Sequence, residues 1–371
     1  MKKMEIGKRN EALFMPFMQI PTGHHHVADA LMEDLKQVND SVGSTKVDIL
    51  SYSYGKIEQM ISSVYLNSIK HIPDFYDKLY RGLAAGKRKR QIRHYHYEWL
   101  FMPFFKNIIN QHDPDVLFFT HCLPSNMADV LKSKGLLDAV TVNVYTDYFV
   151  NNVWGLESVD YHFAPSIQVK RYLMEAGVEE ERILITGIPV HRAFRNSEEI
   201  IGRNDKKTVL VTGGSLGTGQ LEKIMPENPG DLDFVVLCGT NQTLYERLRK
   251  RQHPQIKPIP YIRSKYEMNR LYDVSDAVIA KAGGVTISES LMKRKPLFIS
   301  SALPGPEKVN VQQLQEMGLL LEADETDITG QLSVFLSGSN EKKRYEEKLE
   351  AYHKYLEIKP MHVLLKRLLQ W

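Results

Sequence analysis

Short apolar runs alternate with amphipathic stretches along most of the chain, and each run has the length of a buried strand. Ala12–Ile20 predicts a first strand, followed by a helix over Val27–Val38 with apolar positions at Val27, Ala30, Leu31 and Leu35. Lys46–Leu50 predicts a second strand. After a long insert come strands at Asp115–Thr120, Ala139–Tyr145, Tyr161–Ala164 and Arg182–Thr186, with helices at Ser125–Ser133 and Ile167–Ala176 between them. Strands without polar alternation, separated by helices, predict parallel sheets covered on both faces.

The pattern breaks at Arg195–Lys207, a polar and charged stretch, and then restarts. Strands are predicted at Thr208–Thr212, Phe234–Cys238, Lys257–Pro260, Ala277–Ile279 and Pro296–Ile299. Helices fall near Gly219–Met225 and at Thr243–Arg251, Lys265–Val274, Val285–Lys293 and Val309–Met317. The domain reading is therefore an α/β chain of two Rossmann-like domains, 1–195 and 208–338, facing a central cleft and joined by a linker at 196–207. An insert at about 52–99 interrupts the first, and amphipathic helices at 339–371 follow the second. Ligands of such sheets bind beyond the carboxyl ends of the strands.

Composition narrows the picture slightly. The 371 residues are 43% hydrophobic and 25% charged, with a net charge of +3, too small to imply nucleic acid by itself. Cys122 and Cys238 lie far apart in apolar runs, which fits a reducing compartment without disulfides or structural zinc. No apolar run approaches the ~20 residues of a membrane-spanning helix, and the basic first ten residues lead into a short strand, not a signal peptide. The expected place is the cytoplasm, peripheral on the inner face of the cell membrane.

Three strand-end segments carry candidate chemistry. Thr212–Gly219 (TGGSLGTG) is a glycine-rich turn that brings backbone N–H groups near an anion; read alone, it is also compatible with a mere tight turn. Lys281–Glu289 (KAGGVTISE) opens a helix, whose exposed N–H groups and positive dipole end favour phosphate. Within it Glu289 can accept the hydroxyls of a ribose, or serve simply as a helix-start charge. Leu303–Asn310 (LPGPEKVN) is expected to be a rigid loop placing Glu307 and Asn310 near sugar hydroxyls.

Together these segments resemble the nucleotide-sugar half of the glycosyltransferases that include monogalactosyldiacylglycerol synthases and processive diacylglycerol glucosyltransferases, and more distantly the peptidoglycan N-acetylglucosaminyltransferase. The likeness also rests on Gly23–His26 (GHHH), Thr120-His121, Val144–Asp147 with Trp154, Ile185–Val190 (ITGIPV) and Cys238–Asn241 (CGTN). It implies the GT-B fold, a UDP-sugar donor and inverting transfer to a lipid acceptor such as diacylglycerol. By position it implies that Gly213, Gly214, Ser215, Gly283, Gly284, Val285 and Thr286 hold the diphosphate and Glu289 the ribose. Backbone at Tyr261 and Ile262 would read the uracil, and Glu307 and Asn310 would face the sugar. Pro306 stands where several relatives have Gln, which leaves the sugar open between glucose, galactose and N-acetylglucosamine.

His26 takes the place of the family's loop histidine and is the expected catalytic base, since an imidazole titrates near neutrality, or an acceptor-positioning group, with a purely structural role as the other reading. His24 and His25 stand where small residues are usual, implying a narrower acceptor entrance. Asp147, after a strand, is read either as orienting His26 or the acceptor, or as capping a turn. Asp113 with Asp115, and Asp231 with Asp233, precede strands and read as turn residues. No essential metal and no cofactor are expected; the helix start at Gly283 and Gly284 would take the charge of the departing UDP. In the insert, Lys87, Arg88, Lys89, Arg90 and Arg93 beside tyrosines suit an anionic bilayer, with a solvated helix face or a nucleic-acid patch as the other readings; the chain has no nucleic-acid motif, and no nucleic-acid partner is expected. The rivals to lipid glycosylation are transfer to a soluble molecule, a UDP-sugar 2-epimerase and a UDP-sugar sensor without catalysis.

Overall fold

A computed structural model describes residues 10–17, 23–54, 95–195, 206–219, 221–356 and 360–369. The first sheet contains β1 (Glu11–Met15), β2 (Gly43–Lys46), β3 (Val116–Phe119), β4 (Val140–Val144), β5 (Tyr161–Ala164) and β6 (Ile183–Ile185), in the order β2-β1-β3-β4-β5-β6. The second contains β7 (Lys207–Thr212), β8 (Leu232–Leu237), β9 (Ile256–Ile259), β10 (Ala277–Lys281), β11 (Leu297–Ser301) and β12 (Leu321–Glu322), in the order β12-β11-β10-β7-β8-β9. Every pairing is parallel. The strand order reverses beside β1 in one sheet and beside β7 in the other, so both switch points open onto the same cleft.

Burial explains why the central strands were readable. All four residues of β3 and the first four of β10 are buried, as are Val209, Leu210 and Val211 of β7. Each buried Val, Leu, Ile or Phe among them contributes about 1.5–3 kcal/mol by leaving water.

Three boundaries depart from the sequence expectation, and each moves chemistry. The helix Gly23–Val38 begins at the glycine, so the three histidines form its first turn and not a preceding loop. The helix Pro306–Met317 starts at its proline, a residue with preset φ and no N–H to leave unsatisfied, three residues before the expected start at Val309, so Glu307 lies in its first turn and Asn310 a full turn in. Strand β10 runs on to Lys281, which places that side chain at the sheet edge facing the cleft. A fourth difference is confined to the edge: polar Gly43–Lys46 forms β2, whereas apolar Ile49 belongs to the helix Ile49–Tyr54.

The halves are tied together behind the cleft. Behind the cleft but within the first half, Arg195 donates two bonds, 2.8 and 2.6 Å, to the buried carboxylate of Asp34. The helix Asn340–Tyr355 sends the Tyr352 hydroxyl to Pro165 O at 3.1 Å, and the helix Met361–Leu369 packs on Gly23–Val38. The C-terminal helices thus return to the first half and hold it against the second.

Candidate active site

The cleft encloses about 600 Å³ and is lined from both halves. On the C-terminal wall, the turn after β7 folds back tightly: a Cβ on Gly217, at φ 59°, would sit 1.8 Å from Cys238 O. Asn241 caps the helix Gln242–Arg251 through its Oδ1 and donates its amide to Gly217 O at 3.1 Å, while Thr240 N donates to Ser215 O at 2.9 Å. The Cys238–Asn241 segment is therefore the buttress of the first glycine loop. The N–H groups of Ser215 and Leu216 have no acceptor among the described residues, and the same holds for Gly284, Val285 and Thr286 at the start of the helix Gly284–Met292. Unengaged amides from two adjacent strand ends form a cradle for an anion.

Around this cradle, Glu289 is buried and accepts from the Tyr272 hydroxyl at 3.2 Å, with Lys265 Nζ 3.9 Å away. Burial raises its pKa, opposed by Lys265 and Tyr272. Tyr261 and Ile262 line the far end of the cleft, and their backbone groups have no partner among the described residues. Glu307 also lines it, but as part of a pair: Lys281 Nζ lies 2.5 Å from its Oε1, and Leu303 N donates to its Oε2 at 2.8 Å. Lys281 had been given no role from sequence; its signal was its place between the two glycine segments.

Asn310 does not face the donor sugar. It is fully buried, accepts from Tyr148 N at 2.8 Å and donates to Asp147 Oδ1 at 2.8 Å and Ala282 O at 3.3 Å. Helical phasing turns it inward, so it pins the two halves together. The same bond fixes Asp147, which does not reach His26. Burial pushes the Asp147 carboxyl up to about 6, the Asn310 amide opposing the rise.

On the N-terminal wall, geometry separates the first-turn histidines. His24 Nδ1 donates to Thr120 O at 2.6 Å, with Thr146 Oγ1 at 3.1 Å. A carbonyl only accepts, so Nδ1 carries the proton and Nε2 is the basic nitrogen; Nε2 has no partner among the described residues. His24 packs edge-on against His121, ring centroids 5.2 Å apart, and His121 stacks on Phe17 at 4.3 Å. His26 points across the cleft instead, its Nε2 2.9 Å from Ser215 Oγ on the first glycine loop. Loss of water lowers the pKa of both His24 and His26 to about 4, and nearby Lys265 adds to the effect at His26. Both imidazoles are therefore neutral at pH 7.

The walls touch backbone to backbone. A Cβ on Gly284 would lie 2.1 Å from Thr146 O and 3.1 Å from Ile188 Cδ1, and Ser288 Oγ donates to Ile188 O at 2.7 Å. The Ile185–Val190 and Val144–Asp147 segments thus seat the second glycine loop. A second cavity of about 730 Å³ lies behind the cleft, but its arginines are paired: Arg195 with Asp34, Arg192 with Glu33 and Arg294 with Glu350. Lys87, Arg88, Lys89, Arg90 and Arg93 lie outside the described residues. The adjoining helix Tyr95–His112 carries Trp99, 82% exposed. Among the described residues no helix is long and apolar enough to cross a membrane, and no cluster of three or more metal-binding side chains occurs.

Residues 24–190 match the monogalactosyldiacylglycerol synthase model, and residues 208–356 match the glycosyltransferase family 28 C-terminal domain. The chain is 39% identical over 363 residues, 96% of both chains, to the uncharacterized glycosyltransferase YkoN of Bacillus subtilis (strain 168). This chain belongs to that glycosyltransferase family. The glycosyltransferase is also 27% identical over 315 residues to the processive diacylglycerol beta-glucosyltransferase of Bacillus pumilus, covering 80% of this chain and 79% of the relative. Among solved structures, Acinetobacter baumannii MurG superposes with a TM-score of 0.60 at 12% identity, covering 97% of this chain and 99% of MurG. At that identity the likeness establishes the fold, GT-B.

Proposed function

We propose that this glycosyltransferase moves a hexose from a UDP-sugar to a lipid hydroxyl, with diacylglycerol as the acceptor, at an anionic membrane surface and with inversion at the anomeric carbon. One observation carries the reading: two strand-end loops with unengaged amides meet a histidine of fixed tautomer in a single cleft. The diphosphate would lie against the loops Gly213 to Ser215 and Gly283 to Thr286, held by the amides of Ser215, Gly284, Val285 and Thr286, since Gly214 N already donates to Thr212 Oγ1 and Gly283 N to Lys281 O. Glu289 would take the ribose hydroxyls, Tyr261 and Ile262 the uracil edge, and Glu307 a sugar hydroxyl. The diacylglycerol beta-glucosyltransferase relatives support the lipid acceptor.

In this reading His24 is the base in place of His26. Its Nδ1–H is anchored on Thr120 O and its Nε2 is open, whereas His26 Nε2 is occupied by Ser215. The acceptor oxygen attacks C1, its proton passes to His24 Nε2, and the bond from C1 to the β-phosphate oxygen breaks with its electron pair leaving on UDP. Neutral His24 is in the required state at pH 7, while His26 braces the first glycine loop. No essential metal or cofactor takes part, the cradle amides offsetting the charge on UDP. Asp115 instead accepts from Glu11 N at 2.9 Å, at the opposite end of the sheet. Lys87 to Arg93 and Trp99 would meet the membrane, at about 1 kcal/mol per cation.

The test is mass spectrometry of products from purified protein, diacylglycerol in anionic vesicles, and UDP-glucose, UDP-galactose or UDP-N-acetylglucosamine. A glycolipid mass with one donor supports the reading and names the sugar. Unmodified lipid with UDP still bound sinks the lipid acceptor and leaves a soluble acceptor or a sensor. A UDP-sugar converted to its 2-epimer would make the protein an epimerase.

A further inference from the structure

Lys281 stands beside both glycine loops with its charge already neutralised by Glu307. It ends β10, and its side chain runs between both glycine loops. Its Cε lies 3.5 Å from where a Cβ on Gly214 would be, and its Nζ 3.7 Å from the corresponding point on Gly283. Side-chain exposure is 18% for Lys281 and 12% for Glu307, so their ion pair is shielded from water and salt. The Glu307 carboxylate itself sits against the cradle, its Oε1 4.0 Å from the point where a Gly283 Cβ would be. A carboxylate of the protein therefore lies beside amides and an ammonium suited to phosphate. A strongly hydrated ammonium on a flexible stem can change partners without moving the backbone.

We infer that Lys281 is a catalytic residue that exchanges Glu307 for the donor diphosphate, and that the exchange releases Glu307 toward the donor sugar. This rests on the UDP-sugar reading above. Glu307 holds Lys281 in place and competes with the incoming phosphate. When the donor enters, the Lys281 ammonium turns to the phosphate oxygens, and Glu307 keeps its bond from Leu303 N while Oε1 becomes free to accept from a sugar hydroxyl. As the bond from C1 to the β-phosphate oxygen breaks, its electron pair stays on UDP and the ammonium offsets the new charge. Lys281 keeps its protons throughout; the one proton that moves is the acceptor hydroxyl's, to His24 Nε2, as the acceptor oxygen bonds to C1. The sugar contact and the phosphate contact are thereby coupled, because the same movement creates both.

The coupling predicts opposite signs for the two partners with a ligand that has no sugar. Titration calorimetry with UDP and with uridine, on the full chain, separates the possibilities. Lys281→Met keeps the length of the stem and is expected to weaken UDP about 10- to 100-fold, the range for hydrogen bonds to charged groups, while uridine affinity stays within about two-fold. Glu307→Gln removes the competing charge and is expected to tighten UDP about three- to ten-fold, uridine again unchanged. It should also lower kcat with the full donor, as a mere structural carboxylate would not while improving UDP binding. The inference is overturned if Lys281→Met leaves UDP affinity intact, if it weakens UDP and uridine equally, or if Glu307→Gln weakens UDP. Wild-type protein that binds neither UDP nor uridine would sink the UDP-sugar reading itself, and the exchange with it. Should Lys281→Met fail to fold, the sign of the Glu307→Gln effect decides alone.

Discussion

The two walls of the cleft are built on different principles. The C-terminal wall offers backbone: loops whose amides at Ser215, Leu216 and Gly284 to Thr286 are left without acceptors, buttressed from behind by Thr240 and Asn241. The N-terminal wall offers side chains, and these are already tied to their own half or to the opposite one: His24 to Thr120, Asp147 to Asn310, His26 to Ser215. A wall of amides suits a constant ligand, the diphosphate, because it needs no rearrangement to receive charge. A wall of paired side chains suits control of protons and of closure. The comparison teaches that the amide cradle and the proton-handling histidines sit on separate walls, with the Lys281–Glu307 pair coupling the cradle to the sugar, and each variant loads one wall or the seam between them.

The largest effect belongs to the seam. Asn310→Ala leaves Tyr148 N, Asp147 and Ala282 O without their partner in a buried setting, which is expected to destabilise the fold by about 3 kcal/mol or more. Urea denaturation should show it as a lower midpoint; an unchanged midpoint would mean the seam is not held there. Gly284→Ala comes next. Its Cβ would meet Thr146 O at 2.1 Å, so the walls must part, and kcat/KM should fall about 100-fold, in line with the 1–3 kcal/mol of overpacking. UDP affinity should change less, since the amides remain; equal loss of both would place the damage in the cradle and not at the seam.

The smallest effect per group is in pH. His24 and His26 are lowered to about 4, His162 to about 3 and His121 well below 6.5, all chiefly by burial. Each binds its proton more weakly folded than unfolded, so the unfolded chain takes up protons first as pH falls below about 6.5. Stability is then lost at about 1 kcal/mol per histidine per pH unit down to about 4. Asp147 works in the other direction: raised to about 6, it holds its proton better folded, and stability from it is lost as pH rises from about 4 to 6. Melting temperatures should therefore drop between pH 7 and 5, and the drop should steepen in Asp147→Asn. A shallower slope in that variant would reverse the assignment.

The sheets were largely legible in the sequence because parallel strands covered on both faces leave apolar runs, as in Val116–Phe119 and Ala277–Ala280. An edge strand leaves no such mark. Gly43–Lys46 is polar and only its first residue is buried, so the apolar run after it drew the prediction away. The glycine loops were legible because close approach and positive φ at Gly214 and Gly217 exclude other residues. Side-chain direction was not. In three consecutive histidines each residue turns about 100° from the last, and only the helix start at Gly23 decides which reaches Thr120 and which reaches Ser215. The inward turn of Asn310 is hidden for the same reason, since its phase is set by a helix start at Pro306, three residues before the expected start at Val309. Lys281 was within view, but its partner Glu307 lies 26 residues away and pairing across a sheet edge has no local signature.

The division between a binding wall and a chemical wall is tested most directly by measuring UDP affinity and turnover side by side in His24→Gln. The account predicts UDP affinity within about two-fold of wild type and turnover reduced by about 100-fold or more, the range of general-base loss, with a smaller decrease for His26→Gln. Turnover that survives in His24→Gln, or UDP affinity that falls in step with it, would contradict the account.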